Sequence, residues 1–547
     1  MDDEGHRVTS PRRLRVHATF KLIQEIIEKF MAEGSKQQEQ NGDEGASSEE
    51  ISSSTPLEAA PGAEASPYPP PPPSPVVTSV EVWAKYVKVQ MLEALGEYSG
   101  ALELVDSCIS AVDDKLGTVD FCERKARLLK LSGDVQAAAS LLDEARCYDL
   151  ADRYINNKCT KYLLRAGKIE QAEDTISLFT RHEKINASNN LFEMQCSWFE
   201  LEYAMAMQRR GDLGRALKKF INVERHFADF AEDQFDFHNW CVKRATLRAY
   251  SDILSYEEHV WDHKYYVSAA TGIIECYLHL HDNPVKDESD DQPDFSKMTA
   301  SEKKKAKAAL RKKKKKEEEK KAREEEEEEA AAAAKASEEE KEKGTDGKKA
   351  PDKKPKPYVD PDPTGAVHLK KNAMVECLKL TEMLKLHCPH LQQTWLLNAD
   401  VLAKKGGDAA IKDAVDGLVK AVELDPGSFQ VFERIVNVAR VNEDVAKDTL
   451  MGGVGVRDFV RRKFESGVQE LSLKWRIALA RCGMLTGALT EAECKDLILV
   501  GGMESEGSHL YKNCVEALDV LSSKVNSGGE QWKSICQKAF PMGAAFA

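Results

Sequence analysis

The chain has 547 residues, with 78 Lys and Arg against 92 Asp and Glu, a formal net charge of -14. With 42% hydrophobic and 31% charged residues and a mean hydropathy of -0.49, it is excluded as an integral membrane protein or a collagen-like fibre, and it has room for about three ordinary domains. The thirteen cysteines contain no CxxC, and the nearest pair, Cys377 and Cys388, is eleven apart. Zinc ribbons and fingers need two ligands on one tight turn, so core thiols in a reducing compartment are the expectation.

In chain order, residues 1–36 form a short amphipathic segment. Arg7, Arg12, Arg13 and Arg15 precede Phe20 to Phe30, but Glu25 and Glu28 interrupt that stretch. It is therefore neither an apolar secretory core nor an acid-poor transit peptide, and a cytoplasmic location is expected. Residues 37–80 carry seven acidic and no basic side chains, and nine of the 20 prolines fall between Pro56 and Pro75. That composition cannot supply a core, so a disordered Ser/Pro-rich acidic tail is predicted. Residues 81–285 read as helices of period 3.6 broken by isolated glycines. Residues 286–363 hold 23 basic and 23 acidic residues with almost no large apolar ones. This is a charged linker, partly helical where Glu and Lys stand four apart. Residues 364–547 return to amphipathic helices and form a C-terminal helical repeat domain.

A repeat runs through the first helical region. LGEYSGAL at Leu95 to Leu102 recurs as SGDVQAAA at Ser132 to Ala139, AGKIEQAE at Ala166 to Glu173 and RGDLGRAL at Arg210 to Leu217. The turn glycines Gly96, Gly133, Gly167 and Gly211 are each followed five residues later by alanine, and they stand 37, 34 and 44 apart. Glycine permits a tight turn between antiparallel helices, and alanine lets the second helix approach the first. A looser copy lies at Ala414 to Pro426, with Gly406 and Gly407 displaced. The predicted fold is all-α, a tetratricopeptide-like superhelix of helical hairpins with a disordered tail and a charged linker.

No catalytic constellation is visible. Gln208 to Gly214 approaches the acetyl-CoA-binding signature Q/R-x-x-G-x-G/A, but no strand precedes it and the same residues fit the hairpin register. Gly453-Val-Gly455 lacks a βαβ context. Histidines such as His226, His238, His279 and His281 read as core or surface residues. No metal site is expected.

Other segments are more specific than a generic repeat. They are NNKCTKYLLR at Asn156 to Arg165, EMQCSW at Glu193 to Trp198, ALKK from Ala216 followed by ERHF from Glu224, DQFDFH at Asp233 to His238, and YLHLHDNP at Tyr277 to Pro284. In this order they closely resemble the auxiliary-subunit family of the N-terminal acetyltransferase A complex, over roughly residues 81–547. The resemblance implies a non-catalytic scaffold in the cytoplasm. Such a scaffold wraps a GNAT-fold catalytic subunit, shapes its active site toward small N-terminal residues exposed after methionine removal, and anchors it to the ribosome. Acetyl-CoA is then the catalytic partner's cofactor, and this chain has none of its own. A second acetyltransferase subunit is a further implied partner; a membrane is not. The family's long additional array ahead of the matched region has no counterpart in these 547 residues, which leaves full encirclement of the catalytic subunit and part of the ribosome contact open. A chaperone-type or protein-interaction adaptor is the alternative function.

Two basic features carry the candidate sites. Lys158, Lys161 and Arg165 fall at i, i+3 and i+7 on the first helix of the repeat that turns at Gly167. First helices line the concave wall of tetratricopeptide arrays, and the family is similar in holding inositol hexakisphosphate between scaffold and catalytic subunit. Lys158, Lys161 and Arg165, with Arg153, are the candidates for that anion; a solvated face or ion pairing to neighbouring Asp and Glu is the alternative role. The second feature is the run Lys303, Lys304, Lys305, Lys307, Arg311, Lys312, Lys313, Lys314, Lys315 and Lys316, ten basic residues in fourteen positions. Neutralising rRNA phosphates suits it, and a nuclear-localisation reading uses the same residues.

Overall fold

The computed structural model describes residues 80–180, 187–284, 360, 362–468 and 470–546. The N-terminal segment, the acidic tail before Val80 and the basic run 303–316 lie outside the described residues. Every regular element among those described is helical.

Helices α1 (Val80–Leu95) and α2 (Tyr98–Ser110) form the first hairpin, α3 (Val119–Leu131) and α4 (Val135–Arg146) the second, and α5 (Arg153–Arg165) and α6 (Ile169–Ser177) the third. A short helix, α7 (Ala187–Glu193), precedes the fourth hairpin of α8 (Ser197–Arg210) and α9 (Leu213–Arg244), and its insertion accounts for the long final spacing of the repeat. The four repeat glycines adopt the left-handed turn the sequence calls for, with φ of 82°, 99°, 77° and 84° at Gly96, Gly133, Gly167 and Gly211. The alanines five residues on, Ala101, Ala138, Ala172 and Ala216, are all 0% exposed. Each marks a point where a side chain no larger than a methyl lets the second helix close on the first. Two of the turns end in an aspartate cap: Asp134 accepts from the Ala137 N–H at 2.8 Å and Asp212 from the Arg215 N–H at 3.2 Å.

Next come α10 (Leu247–Glu258) and α11 (Lys264–Asp282), and, beyond the charged stretch, α12 (Ala366–Leu369), α13 (Ala373–His387), α14 (Gln392–Lys405) and α15 (Asp408–Leu424). The looser repeat copy is the α14–α15 hairpin, which turns through Gly406 and Gly407 at φ 70° and 87° and buries Ala421 completely. The series ends with α16 (Phe429–Val441), α17 (Glu443–Leu450), α18 (Val456–Glu465), α19 (Leu473–Thr486), α20 (Glu491–Leu499), α21 (Tyr511–Ser523) and α22 (Gly529–Ala539).

The described residues before Leu280 and after Asp360 form one compact unit, and Leu280–Asp360 belong to a second. Within the first unit the two helical regions meet at several points. Lys218 on α9 donates to the Asp362 carbonyl at 2.6 Å, and Trp261 stacks on His387 with ring centroids 4.8 Å apart. A Cβ on Gly365 would strike the Gly214 backbone, and a Cβ on Gly214 would strike the Thr364 carbonyl. Tyr98 donates to the His509 carbonyl at 3.0 Å, and one apolar cluster runs from Val82, Val105 and Phe121 to Leu473, Leu521 and Trp532.

The turn glycines differ in what surrounds them. A Cβ on Gly133 would overlap the Tyr511 ring, whereas Gly167 has nothing within 4 Å of that position. Gly167→Ala is expected to cost only the left-handed backbone penalty, about 1–2 kcal/mol. Gly133→Ala adds an overpacking cost of about 1–3 kcal/mol. Chemical denaturation of the two variants checks the order; equal losses would contradict the close packing at Gly133.

Candidate functional site

The first helices of successive hairpins, α1, α3, α5 and α8, bring charged side chains from sequence-distant repeats together. On α5 the predicted i, i+3, i+7 face forms, helped by an Asp152 cap that accepts from the Tyr154 N–H at 2.7 Å. Lys161 Nζ lies 3.2 Å from Glu202 Oε1. Arg165 grips the same carboxylate with two bonds, Nη2 to Oε1 at 2.6 Å and Nε to Oε2 at 3.1 Å. Lys158 pairs with Glu123 at 2.9 Å and lies over the Tyr154 ring. Arg153 is exposed and lies over the Phe179 ring, 5.5 Å from its centroid, outside this set of carboxylate pairs. The structure therefore gathers three of the four candidates and uses each in an ion pair.

Several cations of the face were not singled out from the sequence. Glu93 on α1 pairs with both Arg124 and Arg127 of α3. Arg209 on α8 donates to the Leu164 carbonyl at 3.2 Å. Lys130, at the end of α3, lies over the Tyr162 ring, and Arg165 lies over the same ring from α5. Burial, followed by the charges of Arg165 and Arg127, pushes the Lys130 ammonium down to about 8. Arg124, Arg127, Lys130, Lys161, Arg165 and Arg209 are thus held around two carboxylates, Glu93 and Glu202. Each of those carboxylates already serves two cations. The face keeps an excess of positive charge after its internal pairs are made, which suits a polyanion with several charges. Aligning the repeats on their glycines would have found it, because Lys130, Arg165 and Arg209 stand three, two and two residues before their turns.

A second polar cluster is internal. Glu200 on α8 is fully buried; His226 Nε2 lies 2.7 Å from its Oε2, and Asn222 donates to its Oε1 at 2.9 Å. Lys219 Nζ lies 3.6 Å from that oxygen and donates to Ser188 of α7 at 2.9 Å. His226 is a core histidine, and the cluster ties α7, α8 and α9 together.

The enzyme-like motifs resolve into structure. In Gln208–Gly214, Gly211 makes the left-handed turn and Gly214 lets the 362–365 segment approach. At Gly455 the following helix start is already taken, since Glu443 accepts from the Val456 N–H at 3.0 Å. All thirteen cysteines are unbridged and eleven of them are buried; burial pushes the Cys159 thiol up to about 12. No helix among the described residues is long and apolar enough to cross a membrane.

The model of the family "N-terminal acetyltransferase A, auxiliary subunit" matches residues 73–416. The chain belongs to that family. It is 39% identical over 353 residues to the N-terminal acetyltransferase A complex auxiliary subunit NAA15 of Arabidopsis thaliana, a stretch that covers 64% of this chain and 37% of the plant protein. It is 44% identical over 227 residues to the human N-alpha-acetyltransferase 16, NatA auxiliary subunit, covering 42% of this chain and 26% of the human one. The chain thus spans between about a quarter and somewhat over a third of the length of these relatives. Against the solved structure of Naa15/Naa10 bound to HypK-THB it gives a TM-score of 0.48 at 26% identity, covering 68% of this chain and 44% of that one.

Removing the Glu200 carboxylate tests the internal cluster. Glu200→Ala deprives the buried Lys219 ammonium of this counter-charge and His226 of its partner, and a loss of about 3–5 kcal/mol is expected in urea unfolding. A loss under about 1 kcal/mol would mean that the cluster is solvated and not part of the core.

Proposed function

We propose that the chain is a non-catalytic scaffold that holds a GNAT-type catalytic subunit for co-translational N-terminal acetylation and tethers it to the ribosome. Membership of the auxiliary-subunit family over residues 73–416 carries this reading. Two physical features support it. The cation excess on α3, α5 and α8 fits an anion at the junction with the partner, inositol hexakisphosphate being the candidate. The pair α9 and α10 leaves a large apolar surface uncovered: α10 buries no residue, Leu247 is 84% exposed, and Trp240, Val242 and Tyr256 are more than half exposed. A twelve-residue helix with no fully buried side chain is marginal alone in water and gains from a protein partner. Acetyl-CoA belongs to the catalytic subunit in this reading, and a second acetyltransferase subunit is a further partner. The scaffold works in the cytoplasm on ribosomes, with nuclear entry as a second destination.

Charge reversal on the face tests the partner contact. Lys161→Glu with Arg165→Glu places like charges beside Glu202 and removes two of the anion's contacts. Co-purification of the catalytic subunit is expected to fall at least tenfold, a loss of about 1.4 kcal/mol or more, while the chain keeps its helical circular dichroism. Undiminished co-purification would refute the role of the face.

The basic run Lys303 to Lys316 is the proposed rRNA contact. Deleting it is expected to release the protein from ribosomes at moderate salt, because phosphate contacts give steeply salt-dependent binding. Sedimentation with ribosomes that is unchanged by the deletion would overturn this assignment.

A further inference from the structure

The basic face contains one cation that is chemically unlike the rest. Arg124, Arg127, Arg165 and Arg209 are guanidinium groups, which keep their protons at any physiological pH. Lys161 has a direct carboxylate partner in Glu202. Lys130 has a ring instead, its Nζ standing 5.5 Å from the Tyr162 centroid, while the Arg165 guanidinium lies 5.9 Å from the same centroid. The charged groups that act on Lys130 come from four helices: Arg127 on its own α3, Glu93 on α1, Arg165 on α5 and Glu202 on α8. Glu93 is held by Arg124 and Arg127, and Glu202 by Lys161 and Arg165, so both carboxylates near Lys130 already serve two other cations. An amine in that position can relieve the crowding of positive charge by giving up its proton, which the neighbouring guanidinium groups cannot.

We propose that Lys130 is a proton-coupled contact of this face, taking up a proton as a polyanion binds and so making polyanion affinity fall as pH rises. The proposal rests on the anion-binding reading of the face given above and adds its regulation. In the unliganded protein, burial and then Arg165 and Arg127 hold Lys130 down to about 8. A polyanion supplies the counter-charge that Glu93 and Glu202 cannot, and so favours the ammonium. The sign follows. Near neutral pH Lys130 is already mostly protonated and binding costs little proton uptake. Above the depressed value the free protein has lost the proton, and binding must recover it from an ever scarcer supply. If the bound state restores an ordinary lysine value, affinity drops about tenfold between roughly pH 7 and pH 9.

The experiment is calorimetric titration of the full chain with inositol hexasulfate, whose sulfate esters stay fully ionised over this range, so that the ligand contributes no proton of its own. The wild type is expected to show about a tenfold loss of affinity between roughly pH 7 and pH 9, with proton uptake visible as a buffer-dependent heat. Lys130→Arg, charged throughout, should abolish the slope and the buffer dependence and bind more tightly than wild type at the upper pH. Lys130→Met should also remove the slope, and it should bind more weakly than wild type near neutral pH. Thermal melts of both variants establish that they are folded. A slope that survives in Lys130→Arg, or a flat wild-type profile with intact binding, overturns the proton-coupled role alone. Absence of binding at any pH overturns the anion-binding reading of the face and this role with it.

Discussion

The left-handed glycine turn and the buried alanine five residues beyond it are the constraint on which the repeat region depends. A pair of amphipathic helices cannot bury its apolar faces alone, and stacking hairpins supplies the missing surface. Stacking works only if the second helix of each hairpin returns antiparallel and close. Gly96, Gly133, Gly167 and Gly211 provide the return, and four fully buried alanines provide the closeness. The same turns at Gly96 and Gly133 also receive His509 and Tyr511 from the distant end of the chain. One residue type therefore serves both the local turn and a contact with the C-terminal helices.

Placing the first helices one beside the next has an electrostatic consequence. The first helices α3, α5 and α8 end in basic residues shortly before their turns, so hairpin stacking brings together cations that lie 35 to 44 residues apart in the sequence. Glu93 and Glu202 neutralise part of that charge and leave the face with an excess of cations. An ordinary surface ion pair contributes little to stability. What distinguishes this face is its imbalance and the buried carboxylate of Glu202, which fixes the positions of Lys161 and Arg165 at the centre.

Much of this was legible in the sequence. The hairpins, their turn residues and the shared face of Lys158, Lys161 and Arg165 follow from local periodicity. The partner of that face did not, because Glu202 lies 37 residues beyond Arg165 and reaches it only through the stacking of α8 on α5. Lys130 was passed over for the same reason, although repeat alignment places it in register with Arg165 and Arg209. Arg153 illustrates the opposite case: proximity in sequence grouped it with the cluster, yet its place at the start of α5 puts it against Phe179. The contacts of Tyr98 with His509 and of Lys218 with Asp362 span more than a hundred residues, and no local pattern encodes them.

We propose that this chain organises acetylation without performing it. Reconstitution tests that most directly: N-terminal acetylation of a peptide with a small first residue is measured for the chain alone, the catalytic GNAT subunit alone, and the two together. No turnover is expected from the chain alone, and a substantial rise is expected for the complex over the catalytic subunit alone. Turnover by the isolated chain, or a complex no more active than its catalytic subunit, would contradict it.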